Sequence, residues 1–270
     1  MTTDTSIVLQ VQDGIAVLTL NRPEVRNAMD DDMRVDLVEA LDQVARDKAI
    51  KALVLTGSGK AFCAGGDIRS MQQRAQAPVG EVAFNGWARQ QRTHHAVSLL
   101  HALPKPTIAA VNGAAAGLGA DIAMCCDFVM ASSSAVFAWT YVLRGLIPDG
   151  GGMYFLPRRV GLAKAKELIY TGRKVEPDEA LALGIADRLS TPESLLADAT
   201  AWAAELGQNT GPALALAKNI MDKTFELGVE EIFAQGSQAQ GICYSTAEHQ
   251  ASIAAFLAKS SKPKAEGAKS

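Results

Sequence analysis

Two glycine-rich turns and two aspartates are the parts of this sequence best suited, by residue type and spacing, to carry chemistry. Residues 107–111, Thr-Ile-Ala-Ala-Val, form a short apolar run of the length and type of a buried strand. From 113 to 120 nearly every side chain is Gly or Ala, and Asp121 then opens an apolar helical segment over 122–126. Small residues let a ligand or another backbone approach the main chain closely. A glycine-rich turn that feeds a helix aims free N–H groups at whatever lies before it, which suits an anion or an oxygen that becomes negative during a reaction. Ala61-Phe62-Cys63-Ala64-Gly65-Gly66-Asp67 repeats the arrangement: an expected strand, a Gly-Gly turn, then an expected helix. Each turn could give one N–H to a single oxygen. Tight strand–helix packing is the structural alternative for both.

The aspartates are Asp121, at the start of an expected helix, and Asp149, in a Pro-Asp-Gly-Gly loop. Asp at a helix N-terminus caps it and complements its dipole, and Asp beside Gly is ordinary turn chemistry. Phe137, Trp139 and Tyr141 form an aromatic group nearby. The four histidines, at 94, 95, 101 and 249, lack ligand spacing to Cys or carboxylate, so no metal site is expected. A Gly-x-Ser-x-Gly elbow is missing. Gly57-Ser58-Gly59-Lys60 is not a phosphate-binding loop, because Val54 and Ala61 stand where that motif needs Gly and Ser or Thr.

These turns must be held by alternating strands and helices. Strands are expected at 7–12 and 15–20 around Asp13-Gly14, a strong hairpin signal. A helix begins at Asp30 to Asp32 and carries Met33, Leu37, Leu41 and Val44 on one face. Strands follow at 52–56, 107–111, 128–131 and 136–138, with helices at 68–75 and 81–103. Beyond about 189 the strand signal disappears, and helices are expected at 191–206, 212–225, 229–244 and 246–258. The implied division is an α/β core over 1–190, a helical region over 191–258 suited to oligomer contacts, and a frayed tail over 259–270.

The chain has 270 residues, 48% of them hydrophobic, and a net charge of −3. That is enough for one large core, and it argues against nucleic acid or a membrane surface as the main partner. No run approaches the roughly 18 apolar residues of a membrane span, and the N-terminal residues lack a secretory pattern. Cysteines 63, 125, 126 and 243 read as reduced thiols, so a cytoplasmic location is expected.

Four motifs in order carry a family resemblance: Leu20-Asn-Arg-Pro-Glu-Val-Arg-Asn-Ala-Met29, Ala61-Phe-Cys-Ala-Gly-Gly-Asp-Ile68, Pro104-Lys-Pro-Thr-Ile-Ala-Ala-Val-Asn-Gly113 and Gly145-Leu-Ile-Pro-Asp-Gly-Gly-Gly152. Together they resemble the enoyl-CoA hydratase/isomerase (crotonase) superfamily over about residues 15–256. The resemblance implies a spiral of ββα repeats with a C-terminal helical trimerisation region, assembled as a trimer or a hexamer. It implies an acyl-coenzyme A thioester as substrate, with no separate cofactor. The N–H groups of Gly66 and Leu118 would hold the thioester oxygen. Residues around Val25, Arg26, Ala28, Ala64, Gly65, Asp67, Ile68, Gly117 and Trp139 would bind the coenzyme A moiety and acyl group.

Of the two glutamates by which hydratases of this family position water, the first falls on Asp121 and the second on Tyr141, which is not a carboxylate. Asp149 stands where relatives that move double bonds carry an aspartate. The resemblance therefore favours double-bond isomerisation with Asp149 as acid/base, Asp121 as a second acid/base or a cap, and Tyr141 as a hydrogen-bond donor or pocket wall. Hydration by Asp121 and Asp149, thioester hydrolysis or dehalogenation through Asp149, and a non-catalytic scaffold or RNA-binding role are the rivals.

Overall fold

The computed structural model describes residues 5–209 and 211–260. The first compact unit runs to Gln208 and the second begins at Asn209. In the first, β1 (Ile7–Gln12) and β2 (Ile15–Leu20) form the antiparallel hairpin, and Asp13 and Gly14 both take positive φ, as its two-residue turn requires. The helix α1 (Asp31–Arg46) follows. Asp30 caps it by accepting from the Met33 amide at 2.9 Å, and Met33, Leu37, Leu41 and Val44 are buried. Burial of each such side chain contributes about 1.5–3 kcal/mol.

Three successive strand pairs then build the body. They are β3 (Ala52–Gly57) with β4 (Ala61–Cys63), β5 (Thr107–Val111) with β6 (Ala114–Ala116), and β7 (Phe128–Ser132) with β8 (Val136–Ala138). The first strand of each pair joins a six-stranded sheet, ordered β1-β2-β3-β5-β7-β9 with β9 (Arg188–Ser190) at the edge. The second joins a three-stranded parallel sheet, β4-β6-β8. Each pair leads into helix: α2 (Ile68–Ala75) and α3 (Val79–His101) after the first, α4 (Leu118–Cys125) after the second, and α5 (Gly152–Val160) after the third. This is the ββα spiral. Every residue of β3 and β5 is buried, as central parallel strands covered on both faces must be.

Two expectations shift. The helix expected to open at Asp121 starts at Leu118, because Gly and Ala carry no apolar periodicity to mark its first turn. The core does not end at 190. Helix α8 (Leu195–Leu206) lays Leu195, Ala199, Trp202 and Ala203 against Ile15, Val54, Ile108 and Met130 of the sheet, which keeps the unit continuous to Gln208. Helices α6 (Leu162–Thr171) and α7 (Pro177–Leu183) complete it.

The second unit is helical: α9 (Pro212–Met221), α10 (Val229–Tyr244) and α11 (Ala247–Ser260). The first of these stops short of 225, where the chain tightens into turns such as Thr224 N–H to the Met221 carbonyl. Of the tail expected to fray over 259–270, residues 259 and 260 instead close α11, and the rest lies outside the described residues. Among the described residues no helix is long and apolar enough to cross a membrane.

Candidate active site

The two glycine-rich turns meet because β4 pairs in parallel with β6, Ala61 opposite Ala114 and Cys63 near Ala115. Their contact is main chain on main chain. A Cβ on Gly119 would fall 2.1 Å from the Cys63 carbonyl oxygen, and Gly65 holds φ +99° beside the Ala116 carbonyl and the Leu118 nitrogen. Leu118 is the first residue of α4, so its N–H has no carbonyl one turn back to accept it. Gly66 forms a parallel bridge with Met29 through its neighbours: the Met29 N–H donates to Gly65 O at 2.7 Å, and the Asp67 N–H donates to Met29 O at 3.0 Å. The N–H of Gly66 itself therefore faces away from Met29. Among the described residues neither the Gly66 nor the Leu118 amide has a backbone acceptor. Both residues line one cavity of about 430 Å³.

Asn27 locks the rim of this cavity. It takes a left-handed conformation (φ 56°), accepts from the Arg22 N–H, and donates to the carbonyls of Ser58, Ala61 and Phe62 at 2.8–3.2 Å. Asp67 pairs with Arg22 at 3.3 Å and accepts from the Arg69 N–H in the first turn of α2. Of the residues expected to bind the substrate, Arg26, Ala64, Gly65, Gly66, Ile68, Gly117 and Leu118 line the cavity. Val25, Ala28, Asp67 and Trp139 are not in its lining; Val25 and Ala28 lie in the turn that follows Pro23, Asp67 directly follows Gly66, and Trp139 is fully buried.

Asp149 lines the cavity and is the one carboxylate among its described lining residues. Its loop is held by the Asp149 N–H to Ile147 O at 2.8 Å and by the His94 Nε2–H donating to the Asp149 carbonyl at 2.9 Å. Desolvation raises its pKa above the ordinary carboxylate value, while the charges of Arg89, His94 and Arg34 oppose that rise.

Asp121 lies elsewhere. It is fully buried and absent from the cavity lining. Its Oδ1 accepts from Trp139 Nε1–H at 3.0 Å and its Oδ2 from the Tyr141 hydroxyl at 2.7 Å, with the Gly152 N–H a further donor. Burial pushes its pKa up to about 7. Nor does it cap α4, whose N-cap position is Gly117. Tyr141 lines the cavity with its hydroxyl turned to Asp121, and burial beside that carboxylate raises the phenol pKa, so it stays a donor. The glycine run explains the closeness of the loop: a Cβ on Gly152 would lie 2.3 Å from Asp121 Oδ1, and one on Gly150 would lie 2.8 Å from Oδ2.

Sequence reasoning missed Arg34 and Arg89, which also line the cavity. Arg34 is 1% exposed. Its Nε donates to Thr93 Oγ1 at 2.9 Å and its Nη1 to the Asp30 carbonyl at 2.6 Å. The available signal was its position, which shares the buried helix face of Leu37 and Leu41.

A family model described as enoyl-CoA hydratase/isomerase matches residues 10–266. The chain belongs to this family. A crotonyl-CoA hydratase of Syntrophomonas wolfei is 34% identical over 255 residues, covering 94% of this chain and 95% of that protein. A 1,2-epoxyphenylacetyl-CoA isomerase of Escherichia coli is 36% identical, covering 94% and 96%. The crystal structure of an enoyl-CoA hydratase from Polaromonas sp. superposes with a TM-score of 0.86 at 33% identity, covering 94% of this chain and 97% of that one. This member of the enoyl-CoA hydratase/isomerase family is thus an enzyme, and its relatives are named for both water addition and isomerisation.

Proposed function

We propose that this enzyme binds an enoyl-coenzyme A thioester and shifts its double bond, with Asp149 carrying the proton. The observation behind this reading is that the cavity holding the Gly66 and Leu118 residues has Asp149 as its lone carboxylate among the described lining residues. The two amides donate to the thioester oxygen and stabilise the enolate; loss of one such donor costs roughly 3–4 kcal/mol in a comparable site. Asp149, ionised, removes a proton from one carbon and returns it to another of the same conjugated system. No water enters the balance. A pKa raised by desolvation makes it a stronger base than a solvated carboxylate.

Hydration is less well supported. It calls for two groups that hold and split one water, and Asp121 is engaged behind Tyr141. The second unit exposes Met221, Phe225, Phe233 and Phe256, which supports self-association through that unit.

The test is an assay of 3-enoyl-CoA isomerisation beside crotonyl-CoA hydration. Asp149→Asn is expected to lower isomerisation about a hundred- to ten-thousand-fold while thioester affinity stays within a few-fold. The wild-type rate should fall as pH drops through a value above the ordinary carboxylate pKa of about 3.9. Fast hydration without isomerisation, or full turnover by the Asn variant, overturns the reading. A covalent ester trapped on Asp149 would mark hydrolysis or dehalogenation instead.

A further inference from the structure

Asp149, the carboxylate on which the proposed proton transfer depends, stands in a loop rich in glycine. Gly150, Gly151 and Gly152 follow it, Gly151 at φ +111°, and glycine leaves a backbone wide freedom. The Asp149 N–H bonds within the loop, to Ile147 O at 2.8 Å. The Asp149 carbonyl reaches out of it and accepts from His94 Nε2–H of α3 at 2.9 Å. A carbonyl oxygen can only accept, so the ring carries a proton on Nε2 whether or not it is charged.

His94 is exposed, but the helix face it belongs to is packed on this segment. His94, Val97 and His101 recur at i, i+3 and i+7, which places them on one side of α3. Val97 Cγ1 lies 3.7 Å from where a Cβ on Gly151 would stand, and the His101 and Phe155 ring centroids are 5.0 Å apart. Gln90 and Thr93 of the same helix line the cavity. One helix thus shapes the cavity wall and holds the loop that supplies its carboxylate. We infer that His94 is a positioning residue for Asp149, its bond to the Asp149 carbonyl fixing where that carboxylate meets the acyl chain. This deepens the proton-carrying role proposed for Asp149 and rests on it. Burial raises the Asp149 pKa, and the charges of Arg89 and His94 from α3 and Arg34 from α1 oppose the rise. Asp121 of α4 and Tyr141 of the turn after β8 also feel the Asp149 charge. Glutamine at 94 can place an amide N–H where Nε2 stood, without charge; leucine supplies neither donor nor charge.

Two measurements on the full-length protein test it. One is 3-enoyl-CoA isomerisation followed across pH; the other is carbon-13 NMR titration of the Asp149 carboxyl, its signal identified by its loss in Asp149→Asn. His94→Leu should lower kcat about ten- to a hundred-fold, as a misplacement of ~1 Å does, while affinity for unreactive butanoyl-CoA stays within about three-fold. His94→Gln should return the plateau rate to within about three-fold of wild type. It should also move the acid limb and the NMR midpoint to higher pH, because a charge that opposes protonation of Asp149 has gone. A bond that served stability alone would lower the melting temperature of His94→Leu and leave kcat and the pH profile as in wild type; that result overturns the inference. So does an equal loss of rate in His94→Gln and His94→Leu, which would assign the effect to the imidazole itself. If Asp149→Asn turns over as fast as wild type, the Asp149 reading falls and takes this inference with it. If no double bond moves in the wild type, the isomerase reading falls, and an NMR midpoint unmoved in His94→Gln overturns this inference as well.

Discussion

Asp121 shows how far one residue's surroundings can move its role. It is sealed in protein, and burial lifts its pKa from 3.8 to about 7. Between those values the folded chain keeps a proton that the unfolded chain has released. Stability from this group is therefore complete below about pH 4, declines as pH rises, and is lost above about pH 7; across that window each pH unit removes about 1.4 kcal/mol. Asp121→Asn should remove that decline, because an amide of the same shape can accept from Trp139 and donate to the Tyr141 oxygen. The difference in melting temperature between variant and wild type, followed from pH 4.5 to pH 8, should grow in favour of the variant up to about pH 7 and then level off; a flat difference throughout would refute the assignment.

At the scale of elements, the site depends on how closely two strand–turn–helix units approach. Replacing a helical Gly by Ala ordinarily gains up to about 1 kcal/mol. In α4 the sign should reverse, since a Cβ on Gly119 would meet the Cys63 carbonyl at 2.1 Å. Gly119→Ala should destabilise by about 1–3 kcal/mol or more in urea unfolding, and turnover should fall further than stability alone explains, because relief of the clash displaces the Leu118 amide. Strands β1, β2 and β5 were legible from their apolar patterns and the Asp13-Gly14 turn. The start of α4 was not, since Gly and Ala fit a helix, a turn or a close contact equally well. The short strands β4 and β6 acquire their identity from each other across the small sheet.

For the molecule as a whole, the decisive packing lies on the far side of the large sheet. Trp202 of α8 is 6% exposed and packs against Phe128, the rings tilted by 48° with centroids 4.9 Å apart. Trp202→Ala should cost about 3–5 kcal/mol and lower the melting temperature, while thioester affinity measured at low temperature stays near wild type, since Trp202 does not line the cavity. A helical pattern alone did not say whether α8 belonged to the sheet or to the helices after it. Local signals settled the order of the longer strands and the helices, the two glycine turns and the candidate carboxylates, because periodicity and turn chemistry act over a few residues. Only the folded chain decided that Asp149 faces the cavity while Asp121 turns to Trp139 and Tyr141, and that Arg34 and Arg89 share the cavity wall. Those choices depend on which side chains distant segments bring together, and burial among those partners sets the charge each one carries.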